Sequence, residues 1–367
     1  VSWQSPKEIQ INDNFIICQF DCRIKYGEQQ SISYKEYGDK GMTILITGAA
    51  GFIGSHLTSR LLSQNKPIRA LLLPSESIPA AWGDRVEIVR GDIRNRADVE
   101  KAVRDTNLIF HLAAVTLDTG PKELHEAVTV QGTRHIMEAA AAQGAKVVLT
   151  SSVTVYGMKI QTDVLDEELE WGKPAGFYST HKQLQEKLAR QIAKEKNVDL
   201  VVIRPGNVYG PGSLQWVISV LREIRRGTPP IIGGGNGNCG FVYVDNLVDA
   251  MLLASENEKA IGRVYNIGDG FGLTWKQYFN DLARISQSPK PKEIPLWVGK
   301  LLANTIEPLW YGLKLKGRPP ITYEAFNLVA SNHRFPITRA QTELGYQPRV
   351  SYAEALKAIE LYLKTQP

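Results

Sequence analysis

Tyr178 and Lys182 stand four residues apart in Tyr178-Ser179-Thr180-His181-Lys182, the spacing that brings two side chains to one helix face. A phenol has a pKa of about 10 and is a poor base at neutral pH. A neighbouring ammonium stabilises the phenolate and is expected to lower that value. Such a phenol can exchange a proton with a substrate hydroxyl or carbonyl while hydride passes to or from a nicotinamide ring. A third group must orient the reacting oxygen. Ser152, in Ser151-Ser152-Val153-Thr154-Val155-Tyr156-Gly157, closes a short apolar run and is expected to do so, with Thr154 on the substrate side. A Tyr and a Lys at this spacing also occur on plain solvated helix faces. A phosphate-binding turn upstream selects the catalytic reading here.

That turn is Thr47-Gly48-Ala49-Ala50-Gly51-Phe52-Ile53-Gly54, between a β-branched run and a helical pattern. Gly48 suits a tight turn, Gly51 lets backbone amides approach a pyrophosphate, and Gly54 lets the helix lie close to the strand. The helix start, at Phe52 and Ile53, then offers unpaired N–H groups and a positive dipole end. A dinucleotide site normally has an acid after the second strand for the adenosine ribose, or an Arg for a 2′-phosphate. Here the segment ends Leu73-Pro74-Ser75-Glu76 and meets neither rule, so the choice between NAD and NADP stays open, leaning to NAD. Asp92, followed by Ile93, is placed to accept from the adenine amine, to cap the turn before Arg94, or both.

These residues need a scaffold that brings strand ends together. Strand-like runs at 43–47, 68–73, 86–89, 107–112, 146–150 and 199–203 alternate with helical patterns at 53–64, 97–105, 122–142 and 177–196. Short, fully apolar strands separated by helices predict an α/β fold: a doubly wound parallel (Rossmann) sheet covered on both faces. Its ligand site lies at the strand carboxyl ends. After Arg204 the regularity fades into Gly- and Pro-rich loops and helical pieces. The expected organisation is an appendage at 1–41, a dinucleotide-binding domain at 42–204 and a smaller, mainly substrate-binding part at 205–367 that returns some strands to the sheet. With 43% apolar residues and 43 basic against 38 acidic ones, the chain is neither disordered nor a nucleic-acid binder. Three cysteines cannot staple a secreted fold, no secretory leader is expected, and a reducing cytoplasm is the default. Six histidines form no metal-spaced pair, and Cys18 and Cys22 read as free thiols.

The chain resembles the extended short-chain dehydrogenases/reductases, the superfamily of NAD-dependent epimerases and dehydratases, dihydroflavonol reductases and 3β-hydroxysteroid dehydrogenases. The resemblance spans about 42–362. It rests on the glycine turn, Gly91-Asp92-Ile93, His111-Leu112-Ala113-Ala114, Gly132-Thr133, Ser151–Gly157, Tyr178 with Lys182, Arg204-Pro205-Gly206-Asn207-Val208-Tyr209-Gly210-Pro211, Val244-Asp245-Asn246 and Leu344-Gly345-Tyr346-Gln347-Pro348. It implies that Leu112, Ala113 and Ala114 line the cofactor's ribose side and that Lys182 bonds the nicotinamide ribose. Pro205 and Val208 would lie near the nicotinamide, and two copies would pair through two helices. Thr129 stands where many members have Asn, and a hydroxyl can replace part of that hydrogen bonding.

The substrate clues conflict. Asn207 resembles an asparagine that nucleotide-sugar enzymes place on their substrate. Those enzymes usually carry a diphosphate-clasping Arg before the Phe241-Val242-Tyr243-Val244 strand, and Cys239 stands there instead. A neutral thiol cannot replace a charge-assisted phosphate contact. The segment 294–315, rich in Leu and Trp but broken by Lys300, Asn304 and Glu307, cannot comfortably span a membrane. It reads as a core helix, a cover over an apolar substrate, or a helix resting on a membrane surface. Arg222, Arg225 and Arg226 read as a solvated helix end. The expectation is an NAD(P)-dependent oxidoreductase for a bulky, largely apolar small-molecule alcohol or ketone. A nucleotide-sugar epimerase or dehydratase and a non-catalytic dinucleotide-binding regulator are the alternatives.

Overall fold

The computed structural model describes residues 43–161 and 163–365. The appendage expected at 1–41, with Cys18 and Cys22, lies outside the described residues.

Seven strands form one sheet in the spatial order Val264–Ile267, Leu200–Pro205, Lys146–Thr150, Thr106–His111, Thr43–Thr47, Ile68–Leu72, Val86–Arg90. Every pairing in it is parallel. Strand order reverses beside Thr43–Thr47, so the crossovers on its two sides run to opposite faces and leave a crevice at the carboxyl ends. This is the doubly wound α/β fold. The central strands are apolar throughout because both faces are covered. On one face Leu57, Leu61, Val248 and Met251 pack together with sheet residues. On the other, Val99, Ile136, Met137, Ala189 and Ile192 do so.

The helices fall where periodicity places them, at Phe52–Ser63, Arg96–Val103 and Phe177–Lys196. One expectation changes. The single helix expected at 122–142 is three windings: Lys122–His125, a wider π turn at Glu126–Gln131, and Gly132–Gln143. The π turn carries Val128 into the cleft described below, a place where such turns recur.

Beyond the strand Leu200–Pro205, an aromatic core of Tyr209, Phe241, Trp275 and Tyr278 supports the loops that wall the crevice. The segment expected at 294–315 is one helix, Leu296–Gly312, with Gly299 and Ala303 buried. Its Leu302 and Ile306 line the cleft, while Leu296, Trp297, Leu301 and Leu309 are exposed. It is thus neither wholly core nor wholly surface. No helix among the described residues is long and apolar enough to cross a membrane.

Candidate active site

A cleft of about 1560 Å3 opens at the carboxyl ends of the strands. That exceeds what one small ligand needs and leaves room for a dinucleotide and a substrate together. Every residue assigned to the site from sequence lines it: Gly48, Gly51, Phe52, Ile53 and Gly54 from the turn, Asp92 and Ile93, Leu112, Ala113 and Ala114, Ser152 and Thr154, Tyr178 and Lys182, and Pro205, Asn207 and Val208.

The turn is built for close approach. Gly48 has φ +70°, and a Cβ there would stand 3.0 Å from the Ala113 nitrogen. A Cβ at Gly54 would stand 2.1 Å from the Gly48 carbonyl oxygen, so only glycine lets helix and turn touch. Gly51 starts the helix with no side chain capping it, which leaves first-turn amides for an anion. These features fit a dinucleotide pyrophosphate. At the far end, Glu76 folds back so that its carboxylate accepts from the Leu73 amide at 2.7 Å, and it borders the cleft. An acidic side chain after the second strand thus borders the cleft at Glu76. Asp92 accepts from the Arg94 amide at 2.8 Å and from its guanidinium at 2.6 Å while lining the cleft. Its capping role is realised, and it still borders the cleft.

His111 explains its own motif. Its Nδ1 shares a hydrogen bond with Thr47 at 2.7 Å and its Nε2 one with Thr133 at 2.8 Å. Burial pushes its pKa down to about 3, so it is a neutral strut. Asp245 meets His56 Nδ1 at 2.9 Å, and Asn246 accepts from the Arg349 and Val350 amides. The Val244-Asp245-Asn246 motif thus ties the C-terminal part to the first helix. Thr129 accepts from the Val115 amide at 3.1 Å, the main-chain bond a hydroxyl can make.

The helix Phe177–Lys196 delivers Tyr178 and Lys182 to the cleft together. The Lys182 Nζ lies 5.9 Å from the centre of the Tyr178 ring. It donates to the Thr150 carbonyl and to Gln185 Oε1, each at 2.9 Å. Burial lowers its pKa to about 7. The Tyr178 phenol is hydrogen-bonded with Ser152, whose Oγ also accepts from the Thr154 hydroxyl at 3.0 Å. The expected lowering of the phenol pKa by the ammonium is not found. Burial raises it to about 12, the charge of Glu324 adds to the rise, and the Ser152 bond opposes it. Desolvation dominates, and the Lys182 amine, its own pKa lowered to about 7, donates to the Thr150 carbonyl and Gln185. What results is a protonated phenol in contact with a serine hydroxyl, an arrangement able to donate a proton to a carbonyl oxygen.

Asn207 borders the cleft, and its Nδ2 donates to the Cys239 carbonyl at 2.6 Å. The buried Cys239 thiol donates to the Leu273 carbonyl at 2.9 Å, and desolvation pushes its pKa up. His181 bonds the Phe177 carbonyl at 2.7 Å and does not line the cleft. The arginine cluster is exposed as expected, yet Arg222 and Arg226 also border the cleft.

Sequence reasoning missed three residues. Glu324 lines the cleft and accepts from the Ser179 amide at 2.6 Å and the Tyr178 amide at 3.0 Å. Arg318 and Asp118 pair across the mouth at 2.6 Å. Partners about 150 and 200 residues apart leave no local pattern to read.

A family model described as the NAD dependent epimerase/dehydratase family matches residues 44–268. The chain belongs to this family. The protein is an NAD-dependent enzyme of the oxidoreductase type. It is 27% identical over 328 residues to a 2-alkyl-3-oxoalkanoate reductase of Stenotrophomonas maltophilia, covering 87% of this chain and 98% of that one. It is 26% identical to the human sterol-4-alpha-carboxylate 3-dehydrogenase, decarboxylating, covering 85% and 86%. Among solved structures, a UDP-glucuronic acid 4-epimerase from Bacillus cereus, in complex with UDP-glucuronic acid and NAD, superposes with a TM-score of 0.68 at 25% identity, covering 88% and 99%.

Proposed function

We propose that this family member interconverts a secondary alcohol and a ketone on a bulky, largely apolar substrate, as 3β-hydroxysteroid dehydrogenases and oxoalkanoate reductases do. The observation that carries the proposal is the convergence of Tyr178, Ser152 and Lys182 on one cleft that is also lined by a cluster of apolar side chains. Trp216, Leu302, Ile306, Phe326, Leu328 and Val329 belong to that cluster. The bound nicotinamide supplies or accepts hydride. Tyr178 passes a proton to or from the substrate oxygen, Ser152 orients that oxygen, and Lys182 holds the cofactor ribose. Glu76 at the ribose end supports NAD over NADP, because a carboxylate would repel a 2′-phosphate.

A nucleotide-sugar epimerase is the second reading, favoured by Arg222, Arg226 and Arg318 along the cleft. It would oxidise and re-reduce one sugar without net cofactor turnover. A thermal-shift panel separates the two, since ligands that bind only the native state raise its stability. The first reading expects a shift with NAD plus a 3β-hydroxysteroid or a 3-hydroxyalkanoate, and NADH formation in the same mixtures. A shift with UDP-glucose and no NADH formation would replace it by the second. Tyr178→Phe is expected to lower turnover by about 10²–10⁴-fold. Cofactor binding without turnover, indifferent to that substitution, would make the protein a regulator.

The proposal keeps the division near 204 between cofactor-binding and substrate-binding parts, and a cytoplasmic setting. It also has the helix Leu296–Gly312 rest on an anionic lipid surface. Trp297, Leu301, Leu309 and Leu313 are exposed there. Lys300, Lys314 and Lys316 lie exposed beside them, while the nearby Glu307 turns away to accept from the Tyr323 amide. Apolar side chains rimmed by cations suit anionic lipid headgroups.

A further inference from the structure

We propose that Glu324 is a positioning residue for the reacting phenol: it clamps the first turn of the Tyr178 helix and sets that phenol's hold on its proton. The inference rests on the reading of Tyr178 as the proton donor.

The clamp has two points. Glu324 lies in the short helix Tyr323–Val329, far along the chain from Tyr178. One carboxylate oxygen accepts from the Ser179 amide and the other from the Tyr178 amide. These are first-turn amides, which a helix leaves without intrahelical partners, and a carboxylate there meets the positive dipole end. The fit is closed by Gly176, where a Cβ would stand 2.5 Å from the same carboxylate oxygen that holds the Tyr178 amide. Gly176 has an extended backbone, so glycine is required there for space.

The carboxylate is buried and still borders the cleft. Burial, opposed by Ser179 and the two amides and reinforced by the charge of Asp118, raises its pKa to about 7. Asp118 is itself held by Arg318 and Thr322. Ser152 and Lys182 face the Tyr178 side, and His125 and His181 lie behind the helix start. Once ionised, Glu324 places a negative charge near the phenol and makes proton loss harder. The phenol is then kept as a donor, the state that ketone reduction requires. A substrate seated against Phe326 and Leu328, which follow Glu324 in the same short helix, presses on the element that carries the clamp.

The test needs no substrate. Tyrosine rings are carbon-labelled at Cζ in the full chain, and Tyr178→Phe assigns the Tyr178 resonance. Between about pH 5 and about pH 9, the wild-type resonance is expected to move with a midpoint of about 7. Glu324→Gln, which keeps the shape and one acceptor, is expected to flatten that transition. A wild-type resonance that stays flat overturns the proposal, whether or not the variant folds. A transition that persists unchanged in Glu324→Gln assigns it to Lys182 or His125 and also overturns it. In an alcohol-oxidation assay, Glu324→Gln should move the phenol's limb of the pH–rate profile down by about one pH unit. If Tyr178→Phe leaves turnover intact, the reading of the site fails. If Tyr178→Phe abolishes turnover while Glu324→Gln moves neither limb nor resonance, only the clamp fails.

Discussion

The carboxylate of Glu186 and the guanidinium of Arg204, both fully buried, meet at two points: Nη2 to Oε1 at 2.6 Å and Nε to Oε2 at 3.0 Å. Ser151 adds its hydroxyl to Oε2 at 2.6 Å. The pair joins the helix that carries Tyr178 and Lys182 to the strand Leu200–Pro205, one turn beyond Lys182. Removing one partner leaves the other charged and without water. Glu186→Ala is therefore expected to cost about 3–5 kcal/mol, read as a fall in the urea midpoint. Arg204→Met with Glu186→Met should cost much less than either single change, and equal losses would deny the coupling.

Gly54 is the tightest point of the cofactor turn. Gly54→Ala places a methyl 2.1 Å from the Gly48 carbonyl oxygen, so the helix must move away from the turn. The expected cost is about 1–3 kcal/mol in stability, together with loss of NAD binding by fluorescence titration. Gly144→Ala, with no neighbour within 4 Å but φ +67°, should cost about 1 kcal/mol and leave NAD binding unchanged.

Lys182 links stability to pH. Burial lowers its pKa from 10.5 to about 7, so the folded chain prefers the neutral amine. The stability this confers is present above about pH 10.5 and is lost as pH falls towards 7, at up to about 1.4 kcal/mol per pH unit. Lys182→Met removes that slope. Urea midpoints of both proteins across this range should converge at neither end but differ in gradient, and parallel curves would refute the assignment.

Vesicle flotation checks the lipid-facing helix. The full chain should float with vesicles containing phosphatidylserine and not with phosphatidylcholine alone. Trp297→Glu with Leu301→Glu should abolish flotation while leaving NAD binding intact. A concentration-dependent dimer that these changes dissolve, without flotation, would assign the face to a second copy instead.

The sequence alone determined the sheet, the glycine turn and the pairing of Tyr178 with Lys182, because each is a local pattern: short apolar runs between helical stretches, a fixed glycine offset, a four-residue helical step. It also placed every expected cofactor residue on one cleft, since parallel strands deliver their carboxyl ends to the same edge. The tertiary structure decided what no local pattern encodes. It turned Lys182 onto the Thr150 carbonyl and the Asn207 amide onto Cys239, and it raised the phenol pKa instead of lowering it. It brought Glu324 across 145 residues to the start of the helix it caps. Proton affinity depends on burial and on charges within a few ångströms, and those neighbours exist only after distant segments have packed.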